Sequence, residues 1–232
     1  MEYCTEKNRS TLEISIFSKN TVYFSRCSYL KELAYIKQKT NSLCNVNCNK
    51  LDSKIKNLKI GCSKECNFNC YNCFNRKHID TPEEKEIYFY LLDISKGLNM
   101  DSLQIGHQGE PFIYYEELVK YLKSLSIKDF KKVIFQTNAS LLNLDRIIEL
   151  KSISKKTGID YEFIIQVNGI SKETYEKTTK SDTYETVIEI IKIILKVFGE
   201  DFIKVTFTIK EYNIIDLPYC QEFFRNLGIK YI

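Results

Sequence analysis

Cys66, Cys70 and Cys73 fall within the eight residues CNFNCYNC. Thiols this close can ligate a metal or an iron–sulfur cluster, form a redox pair, or pack as small apolar side chains. Asn67, Asn69, Asn72 and Asn75 lie among and just beyond them. Asparagine favours turns and disfavours helix interiors, so the segment is expected to fold back on itself rather than lay its thiols along a buried helix face. Such a loop can turn three soft thiolates towards one centre, as iron–sulfur clusters, zinc and Cu(I) require. Structural zinc would recruit Cys62 as a fourth ligand. Three ligands from the chain would leave one iron of a [4Fe–4S] cube open to another molecule.

The elements that must carry this loop follow from the rest of the chain. Its 232 residues, 44% hydrophobic and 28% charged, suit one large domain with a sizeable core, or a domain with a small appendage. A net charge of +4 without a dense Lys/Arg run argues against nucleic-acid binding. The polar start MEYCTEKNRSTLEISIF lacks the order of a secretory signal, and the apolar run ETVIEIIKIILKVF is interrupted by charge and too short to span a membrane. A cytoplasmic protein is expected. Nine cysteines in a reducing compartment point to metal or redox chemistry rather than to disulfides.

From about residue 57, short β-branched runs alternate with helical patterns. Strands are predicted at KNLKIGC, DSLQIG, KKVIFQTN, IDYEFIIQVNG, DFIKVTFTIK and the final IKYI. Helices are predicted from Thr81 as N-cap, with Pro82 in the first turn, and at YEELVKYLKSL, SLLNLDRIIELKSISKKTG, TYETVIEIIKIILKVFG and DLPYCQEFFRNLG. Gly158, Gly199 and Gly228 close three of these helices. Six strands alternating with five helices predict an α/β fold of parallel strands, a partial (β/α)6 barrel or a doubly wound sheet, with ligands at the carboxyl ends of the strands. The sixth strand has no following helix to cover it. Residues 56–232 would form this domain. Residues 1–55 read as a small extension, with TLEISIF and TVYFSRC flanking Ser18-Lys19-Asn20 as a hairpin.

The cysteine segment thus lies in the first strand-to-helix loop, and there it resembles the Cys-x3-Cys-x2-Cys motif of the radical SAM (S-adenosylmethionine) enzymes. Further segments match in order: IGHQGEPF after the second strand resembles the Gly-Gly-Glu motif, and FQTNASLL at the third resembles Thr-Asn-Gly, with Ala139 for glycine. IIQVNGISKETYEKTTK at the fourth is similar to a stretch of the subgroup that often carries SPASM or twitch modules. The resemblance implies a partial barrel in which Cys66, Cys70 and Cys73 hold a [4Fe–4S] cluster and SAM binds the open iron. Reductive cleavage of SAM would give a radical that takes a hydrogen atom from the substrate. It implies that Gly109 lets the backbone approach SAM, that Glu110 accepts from the SAM ammonium, and that Asn138, Gln166 and Asn168 bond its ribose or carboxylate. The sequence departs from the family at Asn72, Gln108, Gln166, Asn168 and Thr179, with Lys180 beside the last as a substitute charge.

Cys4, Cys27, Cys44 and Cys48 match the four ligands of an auxiliary cluster in a SPASM- or twitch-like module; structural zinc and unligated thiols are the other readings. His107, on the same rim as Glu110, faces substrate or is structural, and Cys220 is expected in the core. The implied partners are an electron donor of the flavodoxin or ferredoxin type and a peptide, sugar or other small-molecule substrate, under low oxygen. The competing reading is a non-catalytic zinc- or cluster-binding protein that keeps the fold.

Overall fold

A computed structural model of the protein describes residues 11–18, 21–25 and 56–232, apart from Cys62, Asn72 and His107. Five parallel strands form the body of the sheet: β3 (Asn57–Ile60), β4 (Met100–Ile105), β5 (Phe130–Thr137), β6 (Asp160–Gln166) and β7 (Ile203–Thr206). They lie side by side in chain order, without the reversal of a doubly wound sheet. The connecting helices are α1 (Pro82–Ile94), α2 (Tyr115–Ser124), α3 (Leu144–Thr157), and α4 (Lys172–Thr179) with α5 (Tyr184–Phe198). Helix α6 (Leu217–Asn226) follows β7. Right-handed crossovers in a monotonic strand order put every connecting helix on the same side. The sheet is therefore the wall of a partial barrel.

Side-chain alternation agrees with this arrangement. Leu58, Ile60, Leu103, Ile105, Val133, Phe135, Phe163, Ile165, Ile203 and Val205 are buried in the core that the helices cover. The alternate positions, including Lys59, Gln104, Gln136, Gln166 and Lys204, are half-buried and mostly polar. The strands thus have an apolar outer face and a hydrogen-bonding inner one.

Local chemistry sets the helix ends. Thr81 and Glu84 form a reciprocal capping box ahead of Pro82, and Asn143 caps α3 by accepting from Arg146 N–H. Gly158 ends α3 in the left-handed conformation. Helix α5 buries Val187, Ile190, Ile191, Ile194 and Phe198, a stripe at helical spacing. No helix among the described residues is long and apolar enough to cross a membrane. Cys220 is buried, as expected of a core thiol.

Two features differ from the expected elements. The final strand does not form: Gly228 is followed by a single ladder-like bond, from Val205 N–H to Tyr231 carbonyl (3.0 Å). Ile229 is buried there, but Tyr231 and Ile232 are each half exposed, so burial anchors one residue and not a strand. Helix α4 is additional. Its sequence, KETYEKTT, is polar and β-branched, which hides it from periodicity, and its hold comes from a Ser171/Thr174 cap and the fully buried Tyr175. The expected hairpin is present as β1 (Thr11–Ser18) antiparallel to β2 (Thr21–Ser25). Strand β1 also pairs in parallel with β3, from Thr11 opposite Asn57 to Ile14 opposite Ile60, so the hairpin extends the sheet edge.

Candidate functional site

The loops at the carboxyl ends of β3 to β7 build the site. Among its described residues, the loop after β3 contains turns but no helix, which removes the buried-helix reading of Cys66, Cys70 and Cys73. Phe68, between the first two cysteines, is its apolar anchor: it is buried and meets the Tyr175 ring edge-on at 6.3 Å. Tyr71 N–H donates to the Thr178 carbonyl (3.0 Å), tying the loop to α4. Cys66 and Cys70 are half-buried and Cys73 is exposed. Burial pushes the free Cys66 thiol up to about 12 and that of Cys70 to about 11. Thiols so placed ionise when a metal takes the charge.

The asparagines tie this loop to its neighbours. Asn67 bonds to Ser140 and Asn138 at the tip of β5, Asn69 accepts from Arg76 Nε (2.6 Å), and Asn75 Nδ2 donates to the Gln108 carbonyl (2.8 Å). A second set of bonds holds the far end of the loop. Lys64 Nζ donates to Glu84 Oε1 (3.2 Å), His78 Nε2 lies 3.0 Å from Glu84 Oε2, and Tyr114 hydroxyl donates to Glu65 (2.9 Å) and Asp80 (3.3 Å). Burial pushes Glu84 up, but Thr81 N–H, Lys64 and His78 outweigh it and hold its carboxyl below the usual range.

The loop after β4 carries Gly109 and Glu110. A Cβ on Gly109 would lie 2.0 Å from the Ser63 carbonyl oxygen and 2.5 Å from that of Glu65. The glycine therefore admits the backbone of the cysteine loop, a contact the sequence did not suggest. Glu110 N–H donates to the same Glu65 carbonyl (2.9 Å). The Glu110 carboxylate is almost wholly buried and accepts from Phe112 N–H (3.1 Å), Thr137 hydroxyl (2.7 Å) and Asn138 N–H (2.8 Å). Among the described residues no ion pair reaches it. Burial outweighs those three donors and pushes its carboxyl up to about 7.

The other predicted residues lie on the same rim with different partners. Asn138 Nδ2 reaches Cys66 Sγ at 3.7 Å. Gln166 Nε2 donates to Thr208 hydroxyl (3.0 Å). Asn168 is buried, its side chain accepting from Thr208 N–H (3.0 Å) and its carbonyl from Asn213 Nδ2 (3.0 Å), so it also locks β6 to the segment after β7. Lys180 lies about 6 Å from the rings of Tyr71 and Tyr212, themselves an edge-on pair. Sequence reasoning missed Asn67, Ser140, Tyr212 and the Lys64–Glu84 set; only the density of asparagines hinted at the first. Cys4, Cys27, Cys44, Cys48, Cys62 and His107 lie outside the described residues.

The donor set fits a cluster better than a single ion. A tetrahedral zinc with Zn–S near 2.3 Å holds its thiolates about 4 Å apart. Among the described residues, the one group of three metal-ligating side chains with all donors within 4.8 Å is His78, Asp80 and Glu84, not the cysteines. In the loop after β4, the buried Gln108 Oε1 has no hydrogen-bond partner among the described residues, an acceptor suited to an incoming donor.

No protein-family model matches the chain. Curated relatives include probable GTP 3′,8-cyclases of Saccharolobus islandicus, 28% identical over 186 residues, and of Methanocaldococcus jannaschii, 29% identical over 187. These alignments take in 77% of this chain but 56% and 58% of the relatives, so it spans a little over half their length. Similar solved structures include Streptococcus suis SuiB (TM-score 0.57, 16% identity, 75% of this chain and 38% of that one). Another is anSMEcpe with bound AdoMet (TM-score 0.56, 17% identity, 76% and 50%). At these identities the structural likeness speaks to the fold alone. The related sequences and the shared partial barrel agree with the resemblance to radical SAM enzymes that the three cysteines after the first barrel strand and the Gln-Gly-Glu-Pro turn after the second carry.

Proposed function

We propose that the chain is the catalytic barrel of a radical SAM enzyme, with Cys66, Cys70 and Cys73 as the ligands of a [4Fe–4S] cluster. Bound there, the cluster would pass one electron to SAM, giving methionine and a 5′-deoxyadenosyl radical that abstracts a hydrogen atom from the substrate. The observation that carries this reading is the set of three cysteines on a turn-rich loop, braced against a rim with a buried carboxylate.

The chain's own residues then have definable tasks. Glu110 offers a desolvated carboxylate to the SAM ammonium, and Gln108 Oε1 offers a second acceptor. The donors from Phe112, Thr137 and Asn138 fix the direction in which that carboxylate faces. Phe68 and the Tyr175 ring exclude water beneath the cysteine loop. Gln166 and Asn168 bound the inner face, where ribose or methionine groups would lie. A flavodoxin- or ferredoxin-type donor would supply the electron. The substrate is a small molecule or peptide, and the relatives' name makes GTP the first to test.

The test is anaerobic incubation of reconstituted protein with SAM and dithionite. Release of 5′-deoxyadenosine, abolished in Cys70→Ala, supports the proposal. Four irons bound with no SAM cleavage would favour the non-catalytic cluster protein.

A further inference from the structure

Side chains at the tip of β5 close into a ring. Asn138 Nδ2 donates to Asn67 Oδ1 (3.0 Å), Asn67 Nδ2 to Ser140 hydroxyl (2.8 Å), and Ser140 hydroxyl to Asn138 Oδ1 (2.7 Å). Each member gives one hydrogen bond and takes one, so the ring itself defines which end of each amide is oxygen. Ser140 N–H adds a second bond to Asn138 Oδ1 (2.9 Å), an Asx turn made around Ala139 in the left-handed region (φ 64°). Asn138 N–H is held by Glu110.

With its oxygen fixed by two donors and its backbone by Glu110, the Asn138 amide has one orientation. That orientation brings Nδ2 to 3.7 Å from Cys66 Sγ. Phe68 N–H approaches the same sulfur at 3.4 Å. The ring thus joins the first cysteine of the loop to the rim 72 residues later.

We propose that the Asn67–Ser140–Asn138 ring positions an amide N–H against the Cys66 sulfur and thereby raises the reduction potential of the cluster. This rests on the proposed cluster and goes beyond it by giving these residues a redox role. Reduction adds one electron from an external reductant to the cube, from its 2+ to its 1+ state, and breaks no bond in the protein. The added negative charge spreads over irons and sulfurs, and an N–H dipole aimed at a ligating sulfur stabilises the more negative state. Without it the cluster is harder to reduce. Asn138 is a positioning residue in this role, acting through Cys66.

The experiment is an EPR-monitored redox titration of anaerobically reconstituted protein without SAM, after iron and sulfide counting. In Asn138→Ala the midpoint moves to a more negative potential at an unchanged four irons per chain. Ser140→Ala keeps the amide but frees it, and moves the midpoint the same way by less. Equal midpoints in wild type and both variants overturn the inference, as does a fall in iron content or melting temperature with the midpoint unmoved. If Asn138→Ala does not retain its cluster, the Ser140→Ala midpoint alone decides. A wild-type protein that binds no cluster fails at the counting stage and contradicts the cluster reading together with this one.

Discussion

Glu110, on the rim, and Glu162, lower on the inner face of β6, are both buried carboxylates, yet their surroundings drive them in opposite directions. Glu162 sits between two ammonium groups. Lys132 Nζ donates to it at 2.9 Å, and Lys204 Nζ makes a 2.6 Å ion-pair contact off the hydrogen-bond direction. Burial pushes Glu162 up, but the two lysines outweigh it and hold its carboxyl below the usual range. Glu110 has neutral donors and, among the described residues, no ion pair, and burial takes it up to about 7. One region neutralises its charge from within, whereas the other leaves a desolvated acceptor that we propose takes its cation from outside. On that proposal, a stabilising carboxylate and a ligand-binding one differ in who supplies the positive charge.

The largest effect that separates them is catalytic. Glu110→Gln should lower 5′-deoxyadenosine formation per bound cluster about 100-fold, the scale of losing a charge-assisted contact of about 3 kcal/mol. Glu162→Gln should stay within about threefold of wild type. Equal losses in the two variants would remove the distinction.

Stability should rank the pair the other way at neutral pH. Glu162→Gln strands two lysines and should cost about 2 kcal/mol in urea denaturation, a hydrogen bond to charge being worth about that much. Since Lys132 and Lys204 are each about 40% exposed, solvent keeps the cost below that of a fully buried pair.

Opposite pH dependences sharpen the contrast further. Glu110 has a folded-state pKa raised from 4.5 to about 7, so its contribution to stability is fully present below 4.5 and is lost as pH rises to about 7. Glu162 is lowered, so its contribution is present above 4.5 and is lost as pH falls through its folded value. Thermal melts of ligand-free Glu110→Gln and Glu162→Gln should each flatten their own window. SAM affinity should rise with pH through about 7 in wild type, because the cation prefers the ionised carboxylate, and be flat in Glu110→Gln.

The smallest effect lies at Ala139, buried in a left-handed turn between Thr137 and Ser140. Ala139→Gly should be stabilising or neutral, with a gain of no more than about 1 kcal/mol, because relief of the φ strain competes with the greater entropy of glycine in the unfolded chain.

What the sequence made legible follows from how local the cause is. The capped helix at Thr81, the α5 stripe and the alternation in β5 and β6 are set by neighbours within a few residues, and they appear where periodicity puts them. The polar α4 depends on Tyr175 packing beneath Phe68, and IKYI lacks the burial to become a strand; neither is decided locally. At the site, the cysteine loop and the Gly109–Glu110 turn are visible as motifs. The partners of these residues are not. The Asn67–Ser140 bond spans 73 residues and Tyr114–Glu65 spans 49, so only the folded barrel brings them together. Gly109 is the instructive case: its motif is plain, but its missing Cβ makes room for Ser63 and Glu65.

The central claim is that Cys66, Cys70 and Cys73 leave one iron of a cluster free for SAM beside Glu110. EPR of dithionite-reduced, anaerobically reconstituted protein tests it directly, recorded before and after adding SAM. The account predicts about four irons per chain held by these three cysteines and a reduced-cluster signal whose g-values shift on adding SAM, with the shift requiring more SAM in Glu110→Gln. A stoichiometric zinc ion in place of iron, or a cluster signal indifferent to SAM at any concentration, would contradict it.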